Sequence, residues 1–233
     1  MTDNAKNKFM NSSEAGYSLL ELLLAVFIGS IVLAGAYSSY SVIANQYQKN
    51  SGVAEVRDFA IPTVTLISRD LRMAGFRAVD SNIESTYAEI DPPIIITNVA
   101  GACCDSFSVT YDKSTTSRIK VSYFIAARTN PARNALYMNI DTWTGNSWVS
   151  QTANAIVADY IEDFQVEGSQ NNADGYPTLV NFGIVFRSRN KTPYSTAFTK
   201  TSYASGDNDG YTITDNYLRE QFDYSVYLRN LID

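Results

Sequence analysis

Residues 17 to 36 read YSLLELLLAVFIGSIVLAGA, a run of 20 residues whose single charge is Glu21. At about 1.5 Å of rise per residue, the run makes about 30 Å of helix, the thickness of the hydrocarbon core of a bilayer. It predicts a transmembrane helix over Tyr17 to Ala36. A cleaved secretory signal would combine a basic start, a shorter apolar stretch and a small-x-small site. Here the apolar run is longer and passes into further helical periodicity, so loss of the whole segment is not expected. The 16 residues before it are polar, with Lys6 and Lys8 balanced by Asp3 and Glu14.

Glu21 is out of place in a simple anchor. A carboxylate near the end of a membrane helix costs up to about 3 kcal/mol unless water, protonation or a cation compensates it. Its position one turn from the helix start helps, because the helix dipole favours an anion there. That accounts for its tolerance but not for its neighbours. Gly16-Tyr17-Ser18-Leu19-Leu20-Glu21 lies directly between the polar leader and the apolar run. In this respect the chain resembles the type IV pilin superfamily, whose members carry a leader ending in Gly, then an aromatic residue, a Ser or Thr, a Leu, and a Glu five residues after the cleavage point.

The resemblance implies that prepilin peptidase removes residues 1–16 by cutting between Gly16 and Tyr17 on the cytoplasmic side, and that the new Tyr17 amine is N-methylated. Glycine before the cut leaves the backbone open to close approach. Glu21 would pair with the Tyr17 ammonium of a neighbouring subunit, an ion pair strengthened by the low dielectric of a helix bundle and able to set register. Tyr17 stands where Phe is usual, and Glu14 makes the leader less basic than is typical.

Beyond the span, Val53, Val56, Ala60, Val64, Ile67, Leu71 and Ala74 recur at steps of three and four, one apolar face of an amphipathic helix over 37–76. Tyr17 to Met73 would be about 85 Å long if unbroken. Pro62 removes a backbone donor and predicts a kink or break at Ile61. Gly29, Gly35 and Gly52 are further soft points; the first two are either ordinary membrane-helix glycines or places of close helix packing. Gly75 is the candidate C-cap, with Arg69 and Arg72 favouring the dipole in the last turns. The stretch Arg69-Asp70-Leu71-Arg72-Met73-Ala74-Gly75-Phe76 also resembles the PilW group of minor pilins and, more loosely, the J-type minor pseudopilins of type II secretion.

From Arg77 on, β-branched and aromatic runs separated by turn residues replace the helical period. Strands are expected at Ile94–Thr97, Phe107–Tyr111, Ile119–Ala126, Ala135–Ile140, Phe164–Glu167, Leu179–Ser188 and Tyr224–Leu231, with a short helix over Ala153–Glu162 and a long polar loop over Lys191–Tyr217. The short spacings imply antiparallel pairing. An antiparallel sheet is the economical cover for the apolar helix face. The expected fold is therefore α+β: a long N-terminal helix packed on an antiparallel β-sheet head over 77–233, which is also the pilin-like lollipop that the resemblance implies.

The only cysteines, Cys103 and Cys104, are adjacent. Neighbouring Cα atoms stand about 3.8 Å apart across a trans peptide, below the usual disulfide range. Paired thiols, a vicinal disulfide and a bond to another chain are all open. They are redox candidates rather than nucleophiles, since there is no CxxC spacing and no histidine to activate a thiolate. Asp207, Asp209 and Asp215, around the Gly210 turn, offer oxygens that a calcium ion would accept. The 12-residue EF-hand pattern is absent, and Asx-turn chemistry selects the same residues and is the favoured account. Asn171-Asn172-Ala173-Asp174-Gly175 is a weaker case of the same kind.

The total absence of histidine excludes Ser-His-Asp and Cys-His catalysis and His-ligated zinc, and no catalytic residue or cofactor is expected. A net charge of −6 over 233 residues argues against a nucleic-acid binder, and the 16 tyrosines suit half-buried strand positions. The resemblance implies a non-enzymatic minor pilin, anchored once in the inner membrane with a periplasmic head and then assembled into a surface pilus. Its partners would be other minor and major pilins, prepilin peptidase, the inner-membrane assembly platform and lipid. Its role would be priming or capping of the pilus, in support of adhesion, twitching motility or DNA uptake. The alternatives are a J-type minor pseudopilin and a single-pass anchored periplasmic binding module or enzyme.

Overall fold

A computed structural model describes residues 17–79, 84–99, 103–129, 132–200 and 210–232. It contains one long helix, α1 (Leu19–Met73), followed by β1 (Ile94–Thr97), β2 (Ser106–Ser114), β3 (Ser117–Thr129), β4 (Ala132–Trp143), β5 (Trp148–Asp159), β6 (Ile161–Asn171), β7 (Pro177–Thr199) and β8 (Thr212–Tyr227), and a closing 3-10 turn (Arg229–Leu231). The chain divides into two compact units, Met1–Gln46 and Tyr47–Asp233, and α1 contributes residues to both.

In the second unit, α1 buries Val56, Ala60, Thr63, Val64, Ile67, Asp70 and Leu71. The predicted apolar face is therefore the packed face, with Ala74 fully buried and Val53 partly so. Burial of each large apolar side chain on this face contributes about 1.5–3 kcal/mol. Gly52 allows close approach to β8, since a Cβ there would stand 2.7 Å from Leu218 Cδ1.

Of the kink or break predicted at Pro62, the break does not occur: α1 passes through it as one helix. Proline leaves one carbonyl without its helical donor, while two threonine hydroxyls add bonds on the adjoining turns. Thr63 Oγ1 donates to Phe59 O at 2.7 Å and Thr65 Oγ1 to Ile61 O at 2.8 Å. The helix ends where the sequence predicts. Gly75 has φ of +74°, Phe76 N donates to Met73 O, and Asn230 Nδ2 caps the carbonyls of Arg72 and Ala74.

All strand pairing is antiparallel, in two meanders of order β1-β2-β3-β4-β5 and β6-β7-β8. Asp105 joins them. Its N–H donates to Phe164 O on β6, and its carboxylate accepts from Val166 N on β6 and from Val99 N. Phe107 then stacks on Tyr123 at 5.1 Å and meets Phe164 at 6.1 Å, so aromatic rings from both sheets share the core with Ile67 and Leu71 of α1.

Three expectations are corrected. The short helix over Ala153–Glu162 is replaced by the end of β5 and the start of β6. The backbone is satisfied by ladders with β4 and, from Ile161, with β7, and of the β5 residues only Ala158 is buried. The polar loop over Lys191–Tyr217 is largely hairpin, because β7 and β8 extend to Thr199 and back from Thr212. Their register shifts on either side of Lys191, in the stretch that contains Pro193, which has no ladder donor. The last predicted strand stops at Tyr227, and residues 229–231 form the 3-10 turn.

Candidate functional site

The first compact unit contains the N-terminal turns of α1. Glu21 N and Leu22 N both donate to Ser18 O, at 2.9 and 3.1 Å, which places Glu21 in the first turn beside the positive end of the helix dipole. Around it the surface is almost wholly apolar. Leu19 is 78% exposed and Leu20 77%, and large side chains remain exposed through Phe27, Val32 and Ile43. Each such residue forgoes about 1.5–3 kcal/mol by facing water, so a stretch of this length requires lipid or other helices around it. Length and composition qualify it as a candidate membrane span.

Two serines along this stretch bond locally. Ser30 Oγ donates to Phe27 O and Ser41 Oγ to Ser38 O, a geometry that costs little in an apolar setting. A Cβ added at Gly29 or Gly35 would meet nothing within 4 Å, so both positions present bare backbone to a neighbour. Tyr17 is 84% exposed. Gly16 lies outside the described residues, as do Asp207 and Asp209.

Cys103 and Cys104 are joined to each other as a vicinal disulfide. Their sulfurs and a carboxylate oxygen of Asp163 lie within 4.8 Å of one another. In the bonded state the sulfurs are not thiolates, and Asp163 is held by a buried ion pair with Lys200 and by Gln165 Nε2 at 2.8 Å. Asp215 grips Arg219 with both oxygens, one of them 2.7 Å from Nη2. That bonding holds its carboxyl well below the usual range, at about 2. Asn172 instead closes a turn, accepting from Gly175 N through its carbonyl and from Tyr176 N, four residues on, through Oδ1.

The polar residues that organise the head were not singled out by sequence reasoning. Asp70 is fully buried on α1 and accepts from Tyr123 at 2.6 Å, from Tyr111 at 3.4 Å and from Arg69 at 2.8 Å. Burial, reinforced by the Asp70 charge, pushes the Tyr111 phenol up to about 12 and raises that of Tyr123 further. Arg118 and Asp112 form a second buried pair at 2.7 Å. Asp70 had a legible signal: it falls three residues after Ile67 on the apolar face, where a charge needs a partner. Of the other buried acids, Asp112 and Asp163 lie in strands whose pairing decides their surroundings, and Asp105 lies just before β2.

Comparison with known proteins agrees with this geometry. A family model described as the prokaryotic N-terminal methylation motif matches residues 11–37. Among solved structures, the chain is similar in fold to a type IV-like pilin, TTHA1219 from Thermus thermophilus, with a TM-score of 0.52 and 14% identity over 76% of this chain and 98% of that one. Comparison with curated protein sequences gives no match.

Proposed function

From a chain that carries the prokaryotic N-terminal methylation motif on a type IV pilin-like fold, we propose a minor pilin that enters the pilus filament and helps to initiate its assembly. Prepilin peptidase would cut between Gly16 and Tyr17, and the methylated Tyr17 amine would meet the Glu21 carboxylate of an adjacent subunit. The observation that carries this reading is the placement of Glu21 in the first turn of α1, amid exposed leucines and directly after the cleavage motif. An anchor alone has no use for that charge, whereas a polymer needs a unique register, which one ion pair in an apolar bundle imposes.

Assembly then proceeds by transfer of the apolar helix from lipid to a bundle of like helices. Lipid and bundle are similarly apolar, so close packing and the Glu21 pair, not hydrophobic burial, decide the free-energy difference. The head supplies no catalytic step. The PilW-like stretch ending in Gly75 and Phe76 supports an accessory rather than a bulk subunit. N-terminal mass spectrometry of the membrane form, in cells with active prepilin peptidase, tests the proposal. A methylated Tyr17 terminus is the expected result, and an intact leader would sink it.

A further inference from the structure

The chain contains two tryptophans, and both stand at the turn between β4 and β5. Trp143 and Trp148 are cross-strand partners with ring centroids 5.2 Å apart and planes inclined by 55°. They line a cleft of about 740 Å³ together with Tyr87 and Glu89, a volume suited to a small ligand. Tyr87 is fixed by hydrogen bonds from its hydroxyl to the carbonyls of Thr116 and Trp143.

Charge narrows the ligand class. Arg118 and Lys120 both reach the cleft, but Arg118 is paired with Asp112 at 2.7 Å and Lys120 lies 3.5 Å from Asp141. An anion therefore meets only compensated cations, with the exposed Glu89 and Asp91 opposing it. A cationic ligand fares no better. Arg118 already sits over the Tyr87 ring at 5.4 Å and Lys120 over Trp148 at 4.9 Å, so a cation brought to these rings meets like charge close by, a penalty that a neutral ligand does not incur. What remains favourable is a neutral ligand with an apolar C–H face for the rings and hydroxyls for the surrounding donors and acceptors.

We propose that the cleft bounded by Trp143, Trp148, Tyr87 and Glu89 binds a neutral saccharide. The inference goes beyond the pilus reading and is tested on the purified chain without any filament, so the two can fail separately. Because the only tryptophans line the cleft, intrinsic tryptophan emission reports on it alone. The full chain, in a detergent free of sugar, is titrated with neutral N-acetylchitotriose, cellotetraose and lactose, and with charged tri-galacturonate and chitotriose. A saturating change with at least one neutral sugar is expected. It should weaken by about tenfold in Trp148→Ala, as for loss of an aromatic anchor, and measurably in Glu89→Gln, which leaves the hairpin untouched. No saturation with any neutral sugar overturns the proposal, as does saturation with charged sugars alone. Unchanged affinity in Glu89→Gln and Trp148→Ala would place binding elsewhere and overturn it equally.

Discussion

The phenol of Tyr123, on β3, donates a 2.6 Å hydrogen bond to Oδ2 of Asp70, on α1, and neither residue is measurably exposed. The bond ties the helix to the middle strand of the five-stranded sheet inside the apolar core. Tyr123→Phe removes the donor and keeps the ring that stacks on Phe107. The buried carboxylate then loses its shortest partner, and a cost of about 1.5–3 kcal/mol is expected for a hydrogen bond to a charged group. Urea unfolding should show a lower midpoint at an unchanged slope; an unaltered midpoint would remove the anchoring role given to this pair.

Gly75 ends α1 with φ of +74°, and a Cβ there would lie 2.7 Å from Leu231 Cδ2 in the closing turn. Gly75→Ala meets both backbone strain and a crowded neighbour, so a loss of about 1–3 kcal/mol is expected. Thermal unfolding of the two forms checks it. Equal melting temperatures would mean that the helix terminus relaxes freely.

Asp215 has a folded-state pKa of about 2 because of Arg219, against about 3.9 in an unfolded chain. A depressed carboxylate contributes stability that is present above the unfolded value and lost as pH falls through the folded one. Stability should therefore decline between about pH 4 and pH 2, and Asp215→Asn should flatten part of that decline. Denaturant titrations across this window decide the matter; identical slopes in the two forms would show that other carboxylates carry the acid response. At the alkaline end the sign reverses. Tyr111 titrates at about 12 in the fold, so stability should fall as pH rises from about 10 toward 12.

Glu21→Ala should leave cleavage after Gly16 largely intact while impairing entry into filaments, since the carboxylate is asked to set register and not to bind the peptidase. Immunoblotting of processed protein and of sheared filaments separates the two steps. Normal incorporation of the variant would end the register argument.

The helix was legible because its signals are local. The apolar run from Leu19, the three-and-four spacing from Val56 to Ala74 and the Gly75 cap each act within one or two turns. The strands were legible as centres but not as limits: Phe107–Tyr111 is the buried middle of β2, while its ends depend on what β3 offers them. Ala153–Glu162 misled because its composition suits a helix in isolation, and only the edges offered by β4 and β7 make it the end of one strand and the start of the next.

The sequence alone determined the membrane-length helix, the N-terminal methylation motif over residues 11–37, and the lone charge of Glu21 in its apolar run. All are properties of consecutive residues acting through hydrophobicity and helix geometry. Tertiary structure decided which acids are buried and what holds them. Asp70 with Tyr123, Asp112 with Arg118, and Asp163 with Lys200 meet only when α1, β2, β3 and β6 to β8 are brought together. It also set Trp143 beside Trp148 over one cleft, because cross-strand register depends on the turn and on the pairing of whole strands.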